Sequence, residues 1–449
     1  MSQDLSAELE RRVPRYTSYP TAPHFAPDVD ADVYVNWLRE LPKREALSLY
    51  LHVPFCAELC LYCGCHTTVA RRYAPIADYV DLLQREIELV GRHLDTGRPT
   101  THIHWGGGTP TILSPKHLRE VGESIRGRFD IARTAEIAIE IDPRSLDRER
   151  VKALAHMGVN RASLGVQDFD ETVQRTINRI QTYEHTAQAV EWLREAGIGS
   201  INLDLMYGLP YQTVDSVVRS VKTALQLMPA RIALFGYAHV PWMKRHQSLL
   251  AEESLPDSVE RLRQMQAASA VITEAGYVAI GLDHFATRDD ALALSWHQGT
   301  LKRNFQGYTT DRASTLIGFG TSSIGKLPQG YVQNAAKTVA YRNAITDGRL
   351  ATVRGLVLTA EDRLRASIIE RLMCDLAVDI EQIALAHDAD PDDFLPELKS
   401  MDVMAREGLI TRDGFRITVA DEWRALLRNV CAVFDRHLPA DATRLSQSV

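Results

Sequence analysis

A chain of 449 residues, 45% hydrophobic and 24% charged, has the composition of a globular protein, and its length predicts a main domain with one or two appendages. Its 51 basic and 58 acidic side chains leave a formal charge of −7 with no block of either sign, which argues against a nucleic-acid footprint or a polybasic membrane anchor. The opening MSQDLSAELERRVPRYTSYPT is polar, and no apolar run reaches the roughly 18 residues of a membrane span. A cytoplasmic protein without membrane insertion is expected.

From about residue 47 to 240, short apolar runs alternate with amphipathic stretches. ALSLYLHV (46–53), HIHWGG (102–107), EIAIEID (136–142), RASLGVQ (161–167), INLDLMYG (201–208) and RIALFGYA (231–238) read as strands. Several are apolar almost throughout, as parallel strands covered on both faces are. The stretches 75–94, 186–197 and 214–228 between them read as helices, with Gly197 as a plausible stop. This alternation predicts an α/β fold with a parallel sheet, either a full or partial barrel or a doubly wound sheet. Beyond residue 240 a helix is expected over 258–277, then Gly-rich loops at 281–286, 304–310 and 318–334. From Thr359 helical patterns return behind a Thr-x-x-Asp capping signal, and 407–423 reads as a hairpin with an Asp-Gly turn.

Four of the six cysteines fall within HVPFCAELCLYCGCHTTV (52–69), at Cys56, Cys60, Cys63 and Cys65, while Cys374 and Cys431 stand alone as buried small residues. Six thiols in this length are too few for a secreted disulfide scaffold. Three readings of the cluster compete: chance clustering of structural thiols, a zinc site and an iron–sulfur cluster. Zinc needs a closed set of four ligands, and Cys63 and Cys65 are too near in sequence to join the other two comfortably. Three thiolates at x3 and x2 spacing would hold three irons of a cuboidal cluster and leave the fourth open, as in a catalytic site. The loop directly follows the first strand, at the end of a (β/α) barrel that carries chemistry. GGGTP (106–110), Glu140 and Asp142, Gln167 and Asp168, Asp204, and Tyr237 to His239 end the following strands. Each of these carboxylates could equally be a cap or an ion-pair partner. Together they form what a cofactor pocket needs, and the glycines permit close backbone approach.

Cys-x3-Cys-x2-Cys after a first strand and a Gly-rich turn after the second resemble the radical S-adenosylmethionine enzymes. RYTSYPTA (15–22), YLHVPFCAELCLYCGC (50–65), HWGGGTPT (104–111), IEIDPR (139–144), LGVQDF (164–169), NLDLMYGLPYQT (202–213), GYAHVP (236–241), GLDHFA (281–286) and NFQGYT (304–309) narrow the resemblance. It is to the oxygen-independent coproporphyrinogen III dehydrogenase family, from about residue 14 to RNVCAVFDRHL near the C-terminus. The resemblance implies a partial (β/α)6 barrel over 46–358, a mostly helical C-terminal domain over 359–449, and an N-terminal arm, 1–45, over the active site. It implies that Cys56, Cys60 and Cys63 bind one 4Fe-4S cluster, with Cys65 a further cysteine whose catalytic role stays open. Two S-adenosylmethionine molecules are implied, one at Tyr50, Gly107, Glu140 and Ile324. The second is implied at Tyr62, Gly108, Thr109, Gln167, Arg179, Asp204 and Ala238.

The implied activity is decarboxylation of two propionates of coproporphyrinogen III by a 5′-deoxyadenosyl radical in haem synthesis, with a low-potential electron donor and an electron acceptor as partners. WMKRHQ (242–247) is a candidate to meet the propionates, with a solvated surface loop as the simpler alternative. Rival readings are a haem chaperone, a haem-degrading radical methyltransferase and, outside the superfamily, a non-enzymatic iron–sulfur or zinc protein. A monomer is expected, since no coiled-coil seam or apolar interface is visible.

Overall fold

The computed structural model describes residues 3–439 and 445–448; residues 1–2, 440–444 and 449, parts of the expected arm and C-terminal domain, lie outside the described residues. Six parallel strands lie side by side in chain order: β1 (Leu47–Val53), β2 (Pro99–Gly107), β3 (Asp130–Ile141), β4 (Arg161–Gln167), β5 (Ser200–Tyr207) and β6 (Arg231–Gly236). Helices Ala74–Gly91, Pro115–Arg128, Arg148–His156, Tyr183–Glu195 and Val214–Leu225 make the crossovers that parallel pairing requires. In β1 every residue but Tyr50 is buried, because the sheet is covered on one side by helices and filled on the other. This is the partial (β/α)6 barrel expected from the sequence.

The Gly-rich stretches after residue 280 are a correction to the loops expected there. The sheet has twelve strands, and six lie beyond residue 277, four of them in or overlapping these stretches: β7 (Val278–Ile280), β8 (His284–Ala286), β9 (Thr315–Phe319), β10 (Ile324–Leu327), β11 (Gly330–Asn334) and β12 (Thr352–Val357). The strand order is β12-β11-β10-β9-β1-β2-β3-β4-β5-β6-β8-β7. β9 runs parallel to β1 with Gly318 opposite Tyr50, and β8 pairs antiparallel with β6. Residues 304–310 belong to a separate hairpin, Lys302–Asn304 with Gly307–Thr309. The glycines that read as turns are sites of close strand approach: a Cβ on Gly330 would lie 1.9 Å from the Leu356 carbonyl oxygen, and one on Gly355 2.1 Å from that of Tyr331.

A buried carboxylate locks this extension to the barrel. Glu86, on the first crossover helix, accepts hydrogen bonds from Gly320 N (2.6 Å), Asn334 Nδ2 (2.6 Å) and Tyr341 Oη (2.7 Å). Burial pushes its pKa up to about 7 despite those donors.

Thr359 caps the helix Ala360–Asp375 in a capping box with Asp362, as the sequence signal indicated. The expected hairpin forms from Ile410–Asp413 and Arg416–Val419, and Ala377–Asp379 adds a third strand to it. Leu372, Leu426, Val430 and Phe434 of this region share one continuous core with the barrel, and so do Leu9, Val13, Tyr16 and Tyr19 of the N-terminal segment. Tyr16 Oη donates to Asp435 at 3.0 Å, and Arg436 N donates to Tyr19 Oη at 3.0 Å, so the two ends of the chain are stitched together. Among the described residues no helix is long and apolar enough to cross a membrane.

Candidate active site

The cysteine loop leaves β1 at Val53 and is closed on itself. Phe55–Cys56 pairs with Thr68–Val69, Thr68 N donates to Pro54 O (2.8 Å) and Ala70 N to Cys56 O (3.0 Å). Side chains from distant elements hold its backbone carbonyls: Asn178 Nδ2 bonds Leu59 O, Gln247 Nε2 bonds Tyr62 O, His246 Nε2 bonds Cys63 O and Lys244 Nζ bonds Cys65 O, all at 2.8–2.9 Å. Three side chains of WMKRHQ are thus committed to the loop, a role its composition did not announce.

The sulfurs are met by donors. Arg179 Nη1 lies 3.6 Å and Arg144 Nη2 3.7 Å from Cys60 Sγ, Thr67 Oγ1 is 3.1 Å from Cys56 Sγ, and Cys65 N is 3.4 Å from Cys63 Sγ. Guanidiniums and N–H groups aimed at sulfur favour the thiolate, the form that binds metal. A hydrogen bond from the Cys65 side chain pulls the Cys63 thiol down to about 6 against burial, and the same bond leaves Cys65 protonated well above its ordinary range. Burial pushes Cys56 up to about 11. Among the described residues no three Cys, His, Asp or Glu side chains gather closely enough to hold a single ion. The donor set nonetheless suits a cluster bound by three thiolates from one loop.

On the sheet beside the loop, Tyr50 Oη and His52 Nδ1 are 3.0 Å apart, and His52 Nε2 lies 2.9 Å from His66 O. Nε2 must donate to that carbonyl, so Nδ1 accepts from the tyrosine. Burial draws His52 down to about 4, which keeps it neutral for this arrangement. Glu140 at the end of β3 accepts from His104 Nε2 (3.2 Å) and Gly107 N (3.1 Å). The three glycines let these groups meet: a Cβ on Gly106 would lie 2.8 Å from Glu140 Oε1, one on Gly107 (φ +118°) 2.8 Å from His52, and one on Gly108 2.5 Å from Phe55 O. Ile324 opens β10 with its carbonyl oxygen 2.8 Å from the Cβ position of Gly318, the neighbour of Tyr50. Tyr50, Gly107 and Glu140 therefore meet around His52 and His104, with Ile324 against Gly318 on the neighbouring strand.

A second group centres on Arg179. Its Nη2 donates to Gly165 O (2.6 Å), its Nη1 to Asp142 Oδ2 (3.3 Å), and its buried Nε has no partner. Asp142 also takes Arg144 Nη2 at 2.7 Å, and its backbone N–H donates to Thr109 Oγ1 at 3.2 Å. Gln167 ends β4 at φ +70° with its amide nitrogen over Gly165, 2.8 Å from that residue's Cβ position. Tyr62 packs on the small core of Val173, Ile177, Leu209 and Tyr237. Asp204 accepts from Ser163 Oγ (3.1 Å) and Asn202 Nδ2 (2.7 Å); burial and then the charge of Glu140 raise it to about 7. Ala238 stands two residues past the end of β6 and contributes no polar side chain. Asp142 was visible only as one more strand-end carboxylate. Arg144, His52 and His104 were not singled out, although 50 and 52 share a strand face by period two.

The family model of the radical SAM superfamily matches residues 50–224. The chain is 51% identical to the oxygen-independent coproporphyrinogen III oxidase of Bradyrhizobium diazoefficiens over 98% of either chain. To the protein of that name from Paracoccus denitrificans it is 44% identical, over 95% of this chain and 94% of the relative. The solved coproporphyrinogen III oxidase of Escherichia coli, described as a radical SAM enzyme, matches with a TM-score of 0.90 and 37% identity, covering 95% of this chain and all of that one. Likeness of this degree, sustained from end to end in sequence and in fold, means that the chain belongs to the oxygen-independent coproporphyrinogen III oxidase family of the radical SAM superfamily.

Proposed function

We infer that the protein converts coproporphyrinogen III to protoporphyrinogen IX by oxygen-independent oxidative decarboxylation, a step of haem synthesis. The observation that carries this is the thiol loop with two guanidiniums on Cys60, set at the end of β1 in a chain that matches coproporphyrinogen oxidases along its whole length. Superfamily membership entails a 4Fe-4S cluster and S-adenosylmethionine, and Cys56, Cys60 and Cys63 are the residues that would hold the cluster. Bound there, the two cofactors would supply the one-electron chemistry needed to remove a hydrogen atom from a propionate β-carbon, so that loss of carbon dioxide and one electron would leave a vinyl group.

The chain's own residues position and exclude. Glu140, fixed by His104 and Gly107, presents a carboxylate suited to an amino group, near the Tyr50 ring that stacks on His104. Arg179, anchored on Asp142 and Gly165 O, keeps a donor for a carboxylate. These two neighbourhoods support two S-adenosylmethionine sites. Tyr50, Gly107, Glu140 and Ile324 form one; Tyr62, Gly108, Thr109, Gln167, Arg179, Asp204 and Ala238 form the other. Cys65 is left outside the cluster's ligand set, beside Cys63. A low-potential donor and a terminal acceptor complete the electron balance.

The test is anaerobic turnover of reconstituted protein with reductant, S-adenosylmethionine, coproporphyrinogen III and an electron acceptor. The divinyl product, preceded by a monovinyl intermediate, is expected. Normal S-adenosylmethionine cleavage with no vinyl product overturns the substrate.

A further inference from the structure

A second cluster of charges lies at the same end of the sheet, by the end of β6. Arg15 donates through Nη2 to Gly236 O (3.2 Å) at the end of β6. β8 pairs with β6, His284 opposite Ala233, and Leu234 N donates to Asp283 O (2.8 Å), so Asp283 and His284 stand beside that strand end. The hairpin 302–309 closes the far wall: the Tyr308 ring meets His284 edge-on at 5.1 Å, and the Arg303 guanidinium lies 4.4 Å above Tyr308. Two more guanidiniums back the cluster. Arg261 Nη2 bonds Tyr237 O (2.6 Å), and Arg428 Nη2 bonds Ser448 O (2.6 Å).

The charges do not balance. Arg15, Arg261, Arg303 and Arg428 bring four positive charges, and Asp283, bonded to His284 Nδ1 at 2.7 Å, brings one negative charge, a formal surplus of three with His284 neutral. None of the four arginines forms an ion pair with a carboxylate within reach among the described residues, and Arg303 Nε and Nη1 carry no hydrogen bond at all. Arg15 is exposed to solvent, while Arg303 Nε and Nη1 are buried. A guanidinium with buried, unpartnered N–H groups is costly unless an anion arrives, and a carboxylate fits its planar fork.

We propose that Arg15 and Arg303, on either side of Asp283, form a carboxylate-binding site that holds propionates of the substrate, with Arg261 and Arg428 strengthening the field from behind. This rests on the functional reading above and assigns it a recognition site: a macrocycle bearing four carboxylates enters between the N-terminal segment and the 302–309 hairpin. Both guanidiniums are held in advance, one by a carbonyl and one by an aromatic face, so little freedom is lost on binding.

The probe is coproporphyrin III, the coloured oxidised analogue, titrated into the full-length protein and followed by absorbance and fluorescence. Arg15→Gln and Arg303→Gln should each weaken binding about tenfold or more, a loss typical of an unmade charged hydrogen bond, and Arg15→Lys should recover part of it. Asp283→Asn removes the one opposing charge and keeps an oxygen for His284, so it should tighten binding severalfold, an outcome misfolding does not imitate. Unchanged affinity in both Gln variants with native melting curves, or weaker binding by Asp283→Asn, overturns the site. If the wild-type protein turns over coproporphyrinogen III while the variants bind unchanged, only this site falls. If the wild type neither binds nor turns it over, the functional reading falls with it.

Discussion

Cys60 is the most buried of the four clustered thiols, and its sulfur is reached by Arg144 and Arg179, two residues that also share Asp142. This makes the three a unit. Cys60→Ser should abolish the iron–sulfur absorption after reconstitution, and full iron content in that variant would remove Cys60 from the ligand set. Arg144→Gln leaves the thiols intact but takes one donor from the sulfur, so cluster loss to a chelator should run about 10-fold faster, the usual cost of an outer-shell partner. Glu86 gives a residue-scale prediction about stability. Its carboxyl titrates at about 7 when folded and near the ordinary range when unfolded. Between those values the folded chain holds the extra proton, so stability is greatest below the unfolded pKa and declines as pH rises through 7. The decline between pH 5 and pH 8 should be about 2 kcal/mol. Urea unfolding of wild type and Glu86→Gln at both pH values measures it: the wild type should lose that amount relative to the variant.

At the scale of elements, local signals served where the chain obeys one period. The run RASLGVQ (161–167) is β4 with the bounds read from it, because its buried residues alternate strictly and turn residues flank it. The helix from Ala360 starts where its Thr-x-x-Asp signal places it, since a capping box is satisfied within four residues. Thr359→Ala should cost about 1 kcal/mol of stability, read from the midpoint of urea unfolding. The Gly-rich stretches were illegible for the opposite reason. Glycine at 318, 325 and 330 answers to the backbone of the strand beside it, while its local meaning is a turn. WMKRHQ is similar: its polar side chains read as a solvated loop until the carbonyls of Tyr62, Cys63 and Cys65 are placed against them.

At the scale of the whole molecule, the N-terminal segment joins the C-terminal region to the barrel mouth. Leu9, Val13, Tyr16 and Tyr19 are buried in the common core, while Arg15 between them reaches β6. Removing residues 1–22 should lower stability by roughly 5 kcal/mol or more, given about 1.5–3 kcal/mol for each buried side chain, and abolish vinyl product. Differential melting and the anaerobic assay check both effects, and a truncated protein with full turnover would detach the segment from the site.

The sequence by itself determined the thiol loop, its place after the first strand, and the alternation that builds a parallel sheet. Each of these is written in spacing or period over a few residues. Only the tertiary structure decided which groups meet: Arg179 reaches Cys60 across 119 positions, and Glu86 ties itself to Tyr341 across 255. It also made six strands from stretches that read as Gly-rich loops or carried no signal of their own, and brought Arg15, Arg303 and Arg428 near Asp283. Contacts of that kind depend on strand register and chain packing, and neither is encoded in local periodicity.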